Sequence, residues 1–393
     1  MLLKDTEDEM MKKICDRIFI GVFCLILFVP FLLAHREEAR VSDTENRTLA
    51  GLPHVIEEGG GFNVSFPADF DAWINDNARF RTTMMKLNAA LQYELFGKVA
   101  KDSLREGKEG HLYYVDAGKV QEYQHLNLMS QEDLAVFTDS MQKLSSYFSD
   151  RGICFYYMQC FDKDSIYPEY YVEGVNQFGS LSRANQILES LEKNTDVKVI
   201  PVYEALMENK GEELLYFKTT DPAHWNEYGA HIGYTALLHT IQKDFPEARC
   251  LTEEDYLITR FEGEADIYGF TYPYPENSLR YKIKEPRAVE QNLDEFDPQQ
   301  VIRYREYGHY FINEASGNDL KIMVVGDSYI RQFLKEHIAE GFGETLSIDW
   351  INLTSLDQIL EIYQPDLVVF ESAEFFLYNT IPLVNEVKYS KAG

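Results

Sequence analysis

Lys321-Ile322-Met323-Val324-Val325-Gly326-Asp327-Ser328-Tyr329 is the stretch on which the fold turns. Its apolar run is short, ends at Gly326 and is rich in β-branched residues, which predicts a fully buried strand. Gly326-Asp327-Ser328 reads as the turn, and a helix follows from Tyr329. Downstream the rhythm continues, with strands at about 346–351 and Leu367–Glu371 flanking a helix near 355–363. Upstream, Ser130-x-x-Asp133 forms a capping box ahead of Leu134, Phe137, Met141, Leu144 and Phe148, with Gly152 as the stop. Ile153–Cys160 then reads as a buried strand, followed by a helix at about 181–193, a strand at Val197–Ile200 and a helix at about 226–243. Alternating strands and helices imply an α/β fold whose mainly parallel sheet is covered on both faces. In such sheets, sites form outside the carboxyl ends of the strands.

Two stretches depart from this rhythm. Residues 250–317 are tyrosine-rich, contain prolines and carry no helical stripe, so they read as a β/loop insertion. Ahead of the α/β region, Pro67 opens a helix with an apolar stripe of Phe70, Trp73, Phe80, Met84, Leu87, Leu91 and Leu95, which Gly97 ends. That stripe predicts a helix covering a core.

The run Ile18–Ala34 holds no charge and approaches the lower limit of ~17 residues for crossing a hydrocarbon core. Leu32 stands where a cleaved signal would place a small residue, which favours an uncleaved anchor. Lys12, Lys13 and Arg17 precede the run while His35 and Arg36 follow it, a slight preference for a cytoplasmic amino terminus. The predicted organisation is a cytoplasmic tail over 1–17, a transmembrane anchor over 18–34, a stalk over 35–65 and an extracytoplasmic domain over 66–393.

Composition excludes one class of partner. The 393 residues include 37 Lys and Arg against 65 Asp and Glu, a formal charge of −28. With no long basic run, a nucleic-acid surface is ruled out, because that affinity rests on neutralising phosphates. The same charge argues against simple attraction to anionic polymers. The 26 Tyr and 25 Phe suit either a packed core or a sugar-handling face, and composition does not choose between them. Five cysteines show no disulfide or zinc spacing and read as packing residues.

Ser328 is the first candidate for chemistry. A hydroxyl at that turn projects at the carboxyl edge, where the N–H groups opening the next helix can stabilise an oxyanion. The plainer alternative is an N-cap serine. A nucleophilic serine needs a base, and the base needs a group to hold its tautomer. Asp221-Pro222-Ala223-His224-Trp225-Asn226 supplies both in one loop ahead of a helix. A metal set of His224, Glu227 and His231 lacks a recognised spacing, so no metal or cofactor is expected. Lys163, after the 153–160 strand, and Arg331, one turn past Ser328, are cations at the carboxyl edge. With Tyr329 and Trp225 they are the candidate substrate-binding residues.

Taken together, these segments resemble the SGNH-hydrolase-like acetyltransferases related to the alginate O-acetylation proteins, and in particular the DHHW proteins. The resemblance lies in Glu45-Asn46-Arg47-Thr48-Leu49-Ala50, Phe66-Pro67 through Phe80-Arg81, Asp162-Lys163 with Ile166-Tyr167-Pro168-Glu169, the Asp221–Asn226 block, Gly326–Tyr329, and Pro365-Asp366-Leu367 up to Glu374. The Asp/His block precedes the Ser block, as in that family and opposite to ordinary SGNH esterases. The family's usual spacing is Asp-x-His-Trp, whereas two residues separate Asp221 from His224 here.

The resemblance implies a three-layer SGNH-like fold and an extracytoplasmic O-acetyltransferase acting on a cell-surface polysaccharide. Ser328, His224 and Asp221 would form its triad, with an acyl-serine intermediate. It further implies a multi-pass membrane O-acyltransferase that hands the acyl group across the membrane. A carbohydrate esterase with the same triad and an inactive glycan-binding scaffold are the alternatives.

Overall fold

The computed structural model describes residues 2–34, 41–42, 47–57, 59–99, 101–265 and 274–387. Residues 35–40, 43–46 and 58 of the expected stalk, with Glu45 and Asn46 of the opening motif among them, and residues 266–273 of the tyrosine-rich stretch lie outside them. The described residues divide into two compact units, one within residues 2–102 and the other of residues 103–265 with 274–387.

The first unit is helical. Its opening helix spans Leu2–Leu32, and Met10–Leu32 is long and apolar enough to cross a membrane. The single helix expected from Pro67 onward is two helices, Phe66–Asn77 and Arg81–Phe96. Phe80, at φ 67, adopts the left-handed conformation between them, which interrupts the helical hydrogen bonding. The expected core-covering stripe also differs: Trp73 is buried, but Met84, Leu87, Leu91 and Leu95 are exposed. These two helices group with the amino-terminal unit, so the α/β unit begins at Ser103 rather than near 66.

Besides a short antiparallel pair, Leu104–Glu106 with Leu112–Tyr114, the second unit carries a seven-stranded sheet and a separate hairpin. In chain order the strands of the sheet and the hairpin are β1 (Cys154–Cys160), β2 (Lys198–Val199), β3 (Tyr256–Ala265), β4 (Tyr274–Ile283), β5 (Val289–Gln291), β6 (His309–Ile312), β7 (Lys321–Gly326), β8 (Glu344–Asp349) and β9 (Leu367–Ala373). The sheet runs β2-β1-β9-β7-β8-β6-β5, while β3 and β4 form the hairpin. Pairs from β2 to β8 are parallel, and β6 and β5 close the edge antiparallel. The apolar run predicted as the deciding strand is β7, with Ile322, Met323, Val324 and Val325 all fully buried. It pairs with β9 on one side and β8 on the other, which puts Ser328 at the middle of the carboxyl edge.

Local signals set several boundaries. Ser130 caps the helix Gln131–Ser149 by accepting from the Asp133 N–H, as its capping box predicts. Asn226 accepts from the N–H groups of Tyr228 and Gly229 and so opens the helix Glu227–Ile241 directly behind His224 and Trp225. Residues 250–317 are only partly an insertion. The β3–β4 hairpin stands off the sheet, but β5 and β6 extend it. These edge strands are too short for a periodic signal in sequence. All five cysteines are free thiols.

Candidate active site

Two turns build the site. The first follows β7, where Gly326 leaves room that a side chain would fill: an added Cβ would lie 2.7 Å from Glu371 Oε2. Asp327 then folds inward. Its Oδ1 accepts the Tyr329 N–H (3.0 Å) and its Oδ2 the Ala373 N–H (2.8 Å). Glu371 Oε2 accepts the Asp327 N–H at 2.9 Å. Burial and the neighbouring Asp327 push the Glu371 carboxyl well above the usual range. With Asp327 turned in, Ser328 stands at the start of its helix, 9% exposed. The next residues, Ile330–Leu334, form a π-helical turn, a rare widening that recurs at functional sites.

The second turn carries the dyad. Asp221 Oδ1 accepts from the N–H groups of Ala223 (2.9 Å) and His224 (3.1 Å), an Asx-type turn that folds the loop back on itself. Because the loop doubles back, two intervening residues still bring the side chains together: Asp221 Oδ2 lies 2.8 Å from His224 Nδ1. On the other face of the ring, His224 Nε2 lies 2.7 Å from Ser328 Oγ. The three candidates, remote in sequence, therefore form one hydrogen-bonded line.

Electrostatics reinforce this line. Burial alone would lower the His224 pKa, but the charge and hydrogen bond of Asp221, with Asp327 and Asp162 beyond, hold it above its ordinary value. For Asp221, burial opposes ionisation, yet His224 and two backbone N–H groups bring it down to about 2. The pair is thus arranged to hold an imidazolium as it forms. The N–H of Tyr329 is committed to Asp327, so the Ser328 N–H is the candidate oxyanion donor at this turn.

Three of the other four candidate residues are buried. Lys163 is not substrate-facing: it is fully buried, and its Nζ donates to the carbonyls of Leu112 and Lys218, both at 2.8 Å. Burial brings it down to about 7. Trp225 is also fully buried and packs edge-on against Tyr329, with ring centres 4.9 Å apart. The hydroxyl of Tyr329, itself buried, lies 2.9 Å from the Phe161 carbonyl and 3.0 Å from the Ala223 carbonyl. It thereby ties the serine helix to both β1 and the histidine loop, a positioning role. Arg331 is partly exposed, with its guanidinium 4.0 Å from the centre of the Tyr307 ring and 3.9 Å from Asp349. Sequence type alone does not reveal burial, which is why a lysine and a tryptophan beside a motif looked substrate-facing. Glu227 and His231 do not join His224. Glu227 pairs with Arg280 (2.8 Å), and His231 stacks on Tyr281.

One residue with no sequence signal shapes the site from the hairpin. Glu276 of β4, almost fully buried, accepts from the N–H groups of Lys218 (3.3 Å), Thr219 (2.8 Å) and Thr220 (2.9 Å). The hydroxyls of Thr219 and Thr220 also donate to it, at 3.1 and 3.0 Å. This carboxylate therefore clamps the segment that leads into Asp221. A cavity of about 850 Å³ opens between the hairpin and the serine helix, and Phe333 on its wall has its ring centre 5.7 Å from that of His224.

A parallel sheet with a serine, a histidine and an aspartate gathered at its carboxyl edge, in the order Asp–His before Ser, defines an SGNH hydrolase-like fold. The family described as SGNH hydrolase-like domain, acetyltransferase AlgX, matches residues 104–340, and the chain belongs to that family. Among solved structures, Bacillus cereus PatB1 is 18% identical, covering 73% of this chain and 100% of its own, with a TM-score of 0.53. PatB1 with a sulfonyl adduct, also 18% identical, covers 74% and 100%, with a TM-score of 0.55. A DHHW family protein from Eubacterium siraeum is 16% identical, covers 75% and 98%, and has a TM-score of 0.50. At these identities the likeness is one of fold. No curated protein matches the chain.

Proposed function

We propose that this protein is an extracytoplasmic O-acetyltransferase of a cell-surface polysaccharide, working through Ser328, His224 and Asp221. The observation that carries the reading is the continuous line from Asp221 Oδ2 through the His224 ring to Ser328 Oγ, with contacts of 2.8 and 2.7 Å. Membership of an acetyltransferase family supplies the acetyl group.

In this mechanism His224 Nε2 takes the Ser328 hydroxyl proton as Oγ attacks the donor's acetyl carbonyl. The Ser328 N–H faces the oxyanion. Collapse breaks the bond to the donor's leaving group, which takes the proton from His224 and leaves an acetyl-serine ester. A sugar hydroxyl then gives its proton to His224 and attacks the ester carbonyl. The Oγ–acyl bond breaks, and Ser328 recovers the proton. The apolar Ile18–Ala34 run is the anchor, residues 35–65 are the stalk, and a multi-pass membrane acyltransferase supplies the acetyl group from the cytosolic side.

The test gives the full chain, in detergent, an activated acetyl ester with and without a soluble glycan. Acetylated glycan formed by the native chain and not by Ser328→Ala is the expected result. Free acetate alone under saturating glycan would make the protein an esterase, and equal activity in Ser328→Ala would remove the triad from the chemistry.

A further inference from the structure

A second polar centre lies on the same carboxyl edge, on the β1 and β9 side of the serine. A cavity of about 460 Å³ opens there, with Lys119, Glu122, Asn127, Arg183, Phe375 and Tyr378 in its wall. Its two cations are already matched. Arg183 Nη2 meets Glu122 Oε2 at 2.5 Å, and Lys119 Nζ meets Asp162. Lys119 Nζ also sits 4.4 Å from the centre of the Phe375 ring. Asn127 Nδ2 donates to Glu122 Oε2 at 2.7 Å.

What remains unmatched is informative. Glu122 Oε1, Asn127 Oδ1 and Arg183 Nε are buried without a hydrogen-bond partner among the described residues. Glu122 as a whole is only 8% exposed. Buried polar atoms in folded proteins are nearly always paired, so three orphans around one cavity point to a group that completes them. Two are acceptors and one is a donor. The complementary ligand offers two hydroxyl donors and one acceptor oxygen, and no negative charge, because both cations are already neutralised.

Shape adds to the chemistry. Phe375 is half-buried and Tyr378 is 58% exposed, with ring centres 6.5 Å apart. They form an aromatic wall on which the C–H face of a pyranose ring can lie. The floor is also tied to the serine turn: Asp162 follows Phe161, whose carbonyl faces the Tyr329 hydroxyl at 2.9 Å.

We infer that this cavity is a subsite for a neutral sugar unit with vicinal hydroxyls, held by Glu122, Asn127 and Arg183 against Phe375 and Tyr378. The sugar belongs to the acceptor glycan, and that assignment rests on the acetyl-transfer reading of the triad. An anionic sugar does not suit the cavity, since Asp116 adds a carboxylate to its wall.

The experiment titrates the full chain in detergent with neutral tetrasaccharides (of glucose, mannose, galactose and N-acetylglucosamine) and with tetragalacturonate, read by saturation-transfer NMR and calorimetry. Turnover of p-nitrophenyl acetate is measured alongside. At least one neutral tetrasaccharide binds the native chain and Ser328→Ala equally. Tyr378→Ala and Asn127→Ala each weaken that binding about tenfold or more, while ester turnover is unchanged. Neutral sugars that fail to bind, or bind both variants as tightly as the native chain, would overturn the inference, as would preference for tetragalacturonate. If the native chain turns over no ester but the two variants still lose sugar binding, the subsite stands and the triad reading falls.

Discussion

The two polar centres on the carboxyl edge differ in how completely they are satisfied. Around Ser328, His224 and Asp221, the ring nitrogens and the oxygens that hold them are paired with one another or with backbone N–H groups. Around Glu122 and Arg183, three buried polar atoms have no protein partner among the described residues. The first is preorganised without a ligand, as a centre for electrostatic catalysis should be. The second is a cavity whose hydrogen bonding is finished only by what enters it. Both are anchored to the same neighbours, since Tyr329 and Asp162 flank the Phe161 carbonyl.

The comparison can be broken most forcefully at the serine. Ser328→Ala should cut acetyl-ester turnover by about 10⁴-fold or more with thermal stability little changed, measured by initial rates and a melting curve. Asp221→Asn should cost about 10³- to 10⁴-fold in kcat, because the ring loses its tautomer and its counter-charge.

The same substitution sharpens the electrostatic account through pH. His224 must be neutral to take the serine proton, and its pKa is raised in the folded protein. Activity should therefore fall as pH drops through a midpoint above the ordinary histidine value of about 6.5. In Asp221→Asn the midpoint of the residual activity should move to lower pH, and a midpoint that stays put would detach Asp221 from His224.

Smaller effects are expected away from the reacting atoms. Glu276→Gln keeps the volume of the clamp but weakens the bonds to residues 218–220. It should lower kcat by about 10²-fold, with Tyr378→Ala as a control that leaves it unchanged. The smallest effect on ester turnover, none, is expected for Tyr378→Ala, whose loss should appear only in sugar binding.

How much of this was legible in sequence follows from where each residue's partners lie. Ser328 was readable because its strand and turn are local, and Asp221 with His224 because one loop holds both. The sheet's parallel core was readable from its buried apolar runs, whereas β5 and β6 were too short to announce themselves. Glu276 was invisible because its partners lie 56 to 58 residues away and nothing near it marks a clamp. Lys163 and Trp225 sit in the right segments, but polarity and ring size do not say which way a side chain turns. The break at Phe80 was hidden because an apolar stripe continues straight through it.

The most direct test of the central claim is to trap the intermediate. The native chain is mixed briefly with an activated acetyl ester in the absence of glycan, quenched in acid and digested for peptide mass spectrometry. One acetyl group on the peptide containing Ser328, absent when His224→Ala is treated in the same way, is the predicted result. Acetylation elsewhere, or on Ser328 to the same extent without His224, would contradict the account.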